Sequence, residues 1–520
     1  MNLKKYQQIG LSVLSALLLI SIFPVLDLEF LAWVTFVPLF FAIKDSRPTR
    51  AFWLGYLSGV IGFTGILYWI THAITHYGKL PAAVGFLAWP LAVIALSSLV
   101  AILALFTGTF TLLTRWLHLR LRLPFVLTAP FLWVTLEYVR SFFLSGFPWA
   151  SLGYSQYLNL PLIQIAELTG VYGISFEIIL VNAALCQFIN GFLSLPRKLH
   201  LIESIVAGGC LLLTVSFGSW RLQELNTILP IFPRLRVGLT QGNIEQDQKW
   251  NEHSREETIN IYESLTRDAA KTGVDLVIWP ETAAPFYFQA NERYRPRILN
   301  TATENKTYLL FGSPGYRYKD RKMRYFNSAF LVSPGGKVLG QYDKIHLVPF
   351  GEYVPIPLKW FLPIIKRWVE GIGGFSAGKE ETILAIPKAR FGVLICYEII
   401  FPALARKFVK KGANFLVTIT NDAWFGRTSA PYQHLSMVTL RAVENRTGIA
   451  RAANTGITAL IEPTGKISSA TKIFTRDWLT GEVKVRVKQT FYTRFGDIFA
   501  WLCTLVSTVF IVMALFKRKK

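Results

Sequence analysis

The sequence predicts a membrane protein that joins two fold types: a polytopic α-helical bundle of about eight transmembrane helices, and one large α/β layered domain. Three observations predict it. Of 520 residues, 52% are hydrophobic and only 17% charged, and the mean hydropathy of +0.37 is too high for an ordinary soluble enzyme. Apolar runs able to cross about 30 Å of hydrocarbon, roughly 20 helical residues each, cluster at the two ends of the chain. The middle instead alternates short β-rich runs with amphipathic helical patterns. Abundant apolar residues exclude disorder, and glycines without a triplet period and the lack of persistent heptads exclude collagen and coiled coil.

The apolar runs are 9–23, 28–43, 51–70, 82–113, 125–144, 162–193, 199–220 and 495–516. They divide the chain into a transmembrane bundle at 1–220, a polar segment at 221–494 and a C-terminal helix with a basic tail at 495–520. The first run follows Lys4 and Lys5 like a signal peptide, but Pro24-Val25-Leu26-Asp27 replaces a small-residue cleavage pattern, so a retained helix is expected. Lys4 and Lys5, then Lys44, Arg47 and Arg50, then Arg115, Arg120 and Arg122, then Arg197 and Lys198, and last Lys517 to Lys520 fall on alternate connections. With about eight spans all of these face the cytoplasm, which puts 221–494 on the opposite side. The net charge of +23 therefore tracks membrane faces and anionic headgroups, and no basic helix or stacking motif points to nucleic acid. Glu137 and Arg140, three apart, are expected to form an internal ion pair, with guidance of a lipid headgroup as the alternative; Glu167 and Glu177 are placed together on another helix.

From residue 235 onward, strands are predicted at 236–240, 275–279, 308–312, 328–332, 337–342, 391–397, 415–420, 449–453 and 458–462. Helices are predicted at 253–271, 402–411 and 432–445. Cys186, Cys210 and Cys503 lie in apolar runs as packing residues, which leaves Cys396 alone in the polar segment. A lone thiol has no partner for a disulfide and too few neighbours for zinc, so it is a candidate nucleophile. Glu281, Lys344 and Cys396 each end a predicted strand, where open sheets build their sites. Taken singly, they read as a solvated carboxylate, a surface lysine and a buried structural thiol.

Taken in order they say more. Trp-Pro-Glu at 279–281, Asp-Lys-Ile-His-Leu-Val-Pro-Phe-Gly-Glu-Tyr-Val-Pro at 343–355 and Ile-Cys-Tyr-Glu at 395–398 resemble the nitrilase, or carbon-nitrogen hydrolase, superfamily with its Glu-Lys-Cys triad. The resemblance covers about 235–484 and implies an αββα sandwich. With many membrane helices before that domain and one after it, the whole chain resembles the apolipoprotein N-acyltransferase family, which ends bacterial lipoprotein maturation. That resemblance implies the bacterial inner membrane, a periplasmic catalytic domain, a phospholipid acyl donor, and as acceptor the α-amine of a lipoprotein's N-terminal S-diacylglyceryl cysteine. A monomer is expected.

In the implied mechanism Glu281 is the general base, Cys396 carries the acyl group as a thioester, and Lys344 with the Tyr397 backbone N–H stabilises the oxyanion. By the same resemblance Glu352 orients the lysine, Tyr397 and Glu398 shape the site, and Trp250 and Asn327 lie near the substrate. Trp360 and Phe361, in the aromatic and basic run 358–368, are expected in an interface-seeking lid, with Trp424 and Phe425 as a second arm; packing on the core is the alternative for both. His346 and His434 are expected to be structural or surface residues. No cofactor or metal is expected, because no phosphate loop, His-Glu-x-x-His or glycine fingerprint is present. The rival activity is a membrane-tethered amidase or nitrilase using the same three residues.

Overall fold

The computed structural model describes residues 3–77, 88–192, 197–249, 252–319, 321–349, 351–353, 374–485 and 489–517. Two compact units result: one holds Met1–Thr75, Leu87–Glu224 and Phe495–Lys520, the other His76–Phe86 and Leu225–Arg494.

The first unit is helical. Among the described residues, five helices are long and apolar enough to cross a membrane: Pro48–Leu67, Trp89–Leu121, Val171–Gly191, Leu201–Ile231 and Ile498–Phe516. Helices Lys5–Ser21 and Phe125–Arg140 are shorter, at 17 and 16 residues. Small residues let the backbones approach, as expected where lipid supplies no hydrophobic drive between helices. A Cβ on Gly55 would lie 2.1 Å from Thr111 Oγ1, and one on Gly59 would lie 2.9 Å from the Ala104 backbone. Thr111 Oγ1 donates across the same contact to Ala51 O at 2.7 Å.

Two of the expected spans are not continuous helices. The run 28–43 forms a 3₁₀ turn, Glu29–Trp33, and a separate seven-residue helix, Val37–Ile43. Pro38 lacks the N–H that would bond back to Val34, so one helix cannot run through. The groups freed at the break are taken up by buried Asn182, which donates to Ala32 O at 2.8 Å and accepts from Phe36 N at 2.7 Å. The run 162–193 breaks at Gly170, whose φ of 65° glycine adopts at little cost, and its long helix starts only at Val171. Glu167 therefore sits on the short helix Ala166–Thr169, apart from Glu177. Its partner is Arg221, at 2.8 Å, while Glu177 accepts from Thr214 Oγ1 at 3.0 Å. Glu137 accepts from Leu152 N at 2.6 Å, and Arg140 donates to Ser151 Oγ at 3.3 Å, so both brace the chain that follows their helix.

Among the described residues, the second unit holds two six-stranded sheets. The first has the order β12–β1–β2–β3–β4–β5, with β1 Arg234–Gln241, β2 Leu276–Ile278, β3 Tyr308–Lys319, β4 Lys322–Val332, β5 Val338–Asp343 and β12 Asp477–Lys484. The second runs β11–β10–β9–β8–β7–β6, with β6 Ile383–Ile386, β7 Ala389–Ile395, β8 Phe415–Thr420, β9 Ile449–Ala453, β10 Ala459–Ile461 and β11 Ile467–Ala470. The core strands β1–β2–β3 and β7–β8–β9 are parallel and buried, and the flanking strands pair antiparallel. Inner faces touch where a Cβ on Gly481 would lie 2.5 Å from Leu460, and one on Gly340 would lie 2.8 Å from Leu384. Helices Glu252–Ala270 and Tyr294–Glu304 cover the outside of the first sheet through Tyr262, Leu265 and Ile298. Helices Pro402–Lys410 and Ala430–Asn445 belong to the second sheet, where a Cβ on Gly392 of β7 would lie 2.5 Å from Phe408. This is the expected αββα sandwich.

Every predicted strand and helix of this unit is present, with β3 and β4 extended into one long hairpin paired from Leu309–Val332 to Lys319–Lys322. Helix Tyr294–Glu304 and strands β6, β11 and β12 were not predicted. β11 and β12 stay half-exposed at the sheet edges, so burial selects no run of large apolar residues there.

Gly312 ties the sheet to the chain around Glu281. A Cβ there would meet Thr282 N at 2.5 Å and Glu281 Cα at 2.7 Å. Gly312→Ala is expected to lower stability by about 1–3 kcal/mol and, by moving Glu281, to cut activity more than tenfold. Thermal unfolding and turnover of the same preparation check both.

Candidate active site

Three strand ends deliver the reactive groups. β2 runs through Trp279-Pro280 to Glu281, β5 ends at Asp343 just before Lys344, and β7 ends at Ile395 just before Cys396. Trp279 anchors the first of these by stacking on Tyr262, with ring centroids 5.1 Å apart, and by donating Nε1 to Thr266 Oγ1 at 2.7 Å. Cys396 has a φ of 54° and opens the 3₁₀ turn Cys396–Ile400, so its thiol sits on a strained strand-to-turn corner. All three side chains are buried: 7%, 1% and 9% of Glu281, Lys344 and Cys396 is exposed.

The ammonium of Lys344 lies 3.0 Å from Glu352 and 3.7 Å from Glu281. Burial alone would lower its pKa, but the Glu352 and Glu281 carboxylates outweigh burial and raise it, so Lys344 is a fixed cation. The Asn327 amide donates to Glu281 at 2.8 Å and to Glu352 at 2.9 Å, and Asn421 N donates to the other Glu281 oxygen at 2.9 Å. Glu352 also accepts from Val348 N at 2.9 Å. Burial, and after it the negative charge of Glu281, pushes the Cys396 thiol up, against the pull of Lys344. The resting sulfur is therefore a neutral thiol that needs a base.

Glu398 has a different task. It accepts from Tyr342 Oη at 2.8 Å, Ile345 N at 2.7 Å, His346 N at 3.0 Å and Ile395 N at 2.7 Å, so one carboxylate staples the turn after Lys344 to the turn at Cys396. Burial raises its pKa to about 7, with the donated bonds opposing. Tyr397 directly follows Cys396 and is packed at 5.2 Å against Phe401, and His346 lies tilted against the same ring at 3.8 Å. Trp424 and Phe425 lie half-buried on the short turn Asp422–Phe425, Phe425 edge-on to His434 at 6.3 Å. Trp250, Trp360 and Phe361 lie outside the described residues. Cys186 and Cys503 are buried in the helical unit, Cys210 is half-buried there, and all are free thiols.

Sequence reasoning missed Lys249. It stands one residue before Trp250, on the short helix Gln246–Lys249, is 1% exposed and donates to the Glu281 backbone carbonyl at 2.9 Å. Nothing in composition separates it from a surface lysine; its place next to Trp250 was the one signal. Burial lowers its pKa to about 8, against the charges of Glu281 and Cys396.

A model of the apolipoprotein N-acyltransferase N-terminal domain matches residues 15–184, and a carbon-nitrogen hydrolase model matches 236–492. An apolipoprotein N-acyltransferase of Geobacter metallireducens is 47% identical over 98% of this chain and 95% of its own. The chain belongs to the apolipoprotein N-acyltransferase family. Members from Azotobacter vinelandii, 33% identical over 95% of this chain and 92% of theirs, and Pseudomonas putida, 32% over 97% and 95%, match nearly end to end as well. An amidase from Nesterenkonia sp. is similar in structure over 49% of this chain and 92% of its own, at 18% identity and a TM-score of 0.38. Family membership makes the chain a membrane acyltransferase.

The charge of Lys249 has a pH signature. In the folded protein it is lost as pH rises through about 8, whereas an unfolded lysine keeps its proton to about 10.5. The unfolded state thus binds more protons between these values, and stability rises with pH across that window. The rate at which Cys396 is acylated is expected to fall above about pH 8; in Lys249→Met it is about tenfold lower below pH 8 and that limb is missing. Rapid-quench mass spectrometry over pH 6.5–9.5 checks it.

Proposed function

We propose that this enzyme moves a fatty acyl chain from a membrane phospholipid to the α-amine of an N-terminal S-diacylglyceryl cysteine, through a thioester on Cys396. The observation that carries the reading is the burial of Glu281, Lys344 and Cys396 in one site, where an acyl-sulfur bond is kept from water. In the first half, Cys396 Sγ attacks the ester carbonyl and its proton passes to Glu281. Lys344, with the Tyr397 N–H, stabilises the tetrahedral oxyanion. Collapse breaks the C–O bond, Glu281 returns the proton to the alkoxide, and a lysophospholipid leaves. In the second half the amine attacks the thioester, Glu281 takes its proton, and the C–S bond breaks to release an amide and restore the thiol.

The acceptor must arrive neutral. An α-amine, with a pKa near 8, supplies far more neutral nucleophile at neutral pH than a lysine side chain near 10.4. Asn327 supports this half: two carboxylates hold its amide nitrogen, and its buried Oδ1 has no hydrogen-bond partner among the described residues, which suits an incoming N–H. The reading places the catalytic unit on the periplasmic side of a bacterial inner membrane, follows the distribution of Lys and Arg, and takes a monomer as the working form. The domains are then 1–220, 221–494 and 495–520.

The test supplies the purified chain with phospholipid vesicles and a synthetic diacylglyceryl-cysteine peptide. Lysophospholipid and N-acyl peptide are expected in equal amounts, with neither from Cys396→Ala. Without the peptide, lysophospholipid should stop near one equivalent per enzyme. Continued release of fatty acid without acceptor, or turnover of soluble amides in place of phospholipid, would favour the amidase reading.

A further inference from the structure

Glu281 sits where the backbone holds it poorly. It lies past the end of β2, beyond Pro280, which can donate nothing to the sheet ladder. It also precedes Thr282, a β-branched residue at a φ of 51°, a backbone region that such side chains occupy only when their surroundings impose it. Asn327 and Lys344 face one oxygen of its carboxylate, at 2.8 and 3.7 Å. The other oxygen and the backbone carbonyl are held by a separate set of side chains, to which the acyl-transfer steps assign no role.

That set is a ladder of amides crossing from the second sheet to the first. Asn454 directly follows β9, Asn421 directly follows β8, and Ile244 and Gln246 lie just beyond β1. Asn454 clasps Ile244 by both backbone groups, accepting from its N–H at 3.0 Å and donating to its carbonyl at 2.7 Å. A backbone N–H only donates and a carbonyl only accepts, so these two bonds fix which end of the Asn454 amide is oxygen. Its Nδ2 also donates to Asn421 Oδ1 at 2.9 Å, and Asn421 Nδ2 in turn donates to Gln246 Oε1 at 2.6 Å. With both ends of its side chain taken, Asn421 presents its backbone N–H to Glu281 Oε2 at 2.9 Å. The main chain of Asn454 adds two more ties, from Asn243 N at 2.9 Å and to Thr420 O at 3.1 Å. Gln246 and Lys249 share one short helix, so the grip that seats Gln246 also seats the ammonium that donates to Glu281 O at 2.9 Å. Asn421, Asn454 and Gln246 are all buried, where a polar group left without its partner is costly.

We propose that Asn421 and Asn454 are positioning residues for Glu281, holding its carboxylate in the orientation in which it takes the thiol proton. Asn421 acts through its backbone N–H, and Asn454 acts by orienting Asn421 and seating the helix that carries Lys249. This role rests on the reading of Glu281 as the base for a Cys396 thioester. Neither asparagine exchanges a proton or meets the lipid. A carboxylate displaced by about 1 Å takes the proton more slowly, while phospholipid binds as before.

The test uses the full chain in phospholipid vesicles without acceptor. Acylation of Cys396 is followed by rapid-quench mass spectrometry across phospholipid concentrations, which yields a rate constant, a final acylated fraction and a half-saturating concentration. Asn421→Leu keeps the N–H that touches Glu281 but loses both side-chain bonds that aim it. Its rate constant is expected to fall about tenfold or more, with the acylated fraction and the half-saturating concentration within about twofold of wild type. A side chain that serves folding alone would lower the acylated fraction and leave the rate constant unchanged. That result overturns the positioning role, as does a loss seen only in the half-saturating concentration. Should Asn421→Leu not fold, Gln246→Leu breaks the far rung of the ladder from outside the catalytic machinery; a fall in rate constant of about threefold or more is expected, and a wild-type rate constant overturns the role. If wild-type Cys396 takes up no acyl group, the thioester reading fails and the positioning role with it, whereas wild-type acylation beside an unslowed variant defeats the positioning role alone.

Discussion

One buried ammonium organises the catalytic unit. Lys344 is almost wholly removed from water and stays charged because Glu352 and Glu281 face it. Neither carboxylate could be buried without it, and removing one member leaves the others as uncompensated charges in a medium that penalises them. Asn327 spans the two acids with one amide group, so the spacing of Glu281 from Glu352 is fixed by a single side chain. Glu398 then locks the lysine turn to the cysteine turn by accepting four hydrogen bonds. Together they make a preorganised field aimed at a sulfur that is itself neutral at rest, which suits a step in which charge appears only during attack.

The same field explains why the thiol is not a preformed thiolate. Burial and the Glu281 charge raise its pKa, and two nearby lysines, Lys344 fixed and Lys249 titrating near 8, pull the other way. A neutral thiol in a dry site does not react with stray electrophiles, and in the proposed cycle Glu281 removes its proton only when an ester carbonyl is in place. On the reading proposed above, that restraint would guard the interval between the two half-reactions.

Much of this was legible in the sequence because the reactive residues sit at strand ends, and strand ends are marked by apolar runs. Glu281, Lys344 and Cys396 each follow such a run, and the motifs around them fixed their order. Lys249, Asp422 and Arg451 were not legible, since a buried charge looks like a surface charge until the fold supplies its partners: Glu281 O for Lys249, and Arg451 for Asp422, which are 29 positions apart. In the helical unit, apolar runs predicted helices but not their breaks. Pro38 and Gly170 were visible as residues, yet the consequence of the Pro38 break depended on Asn182, nearly 150 positions away, being present to satisfy the exposed backbone.

In the proposed cycle the buried carboxylate, ammonium and thiol act as one device that parks an acyl chain on sulfur. The most direct measurement is the intact mass of the chain, and of its Cys396 peptide, after exposure to a phospholipid of defined acyl composition with no acceptor present. A gain of one acyl group on Cys396 is expected, lost when a diacylglyceryl-cysteine peptide is added, with no gain in Glu281→Gln or Lys344→Met. An unmodified Cys396 in a preparation that still acylates the peptide, or the same acyl gain in either variant, would contradict it.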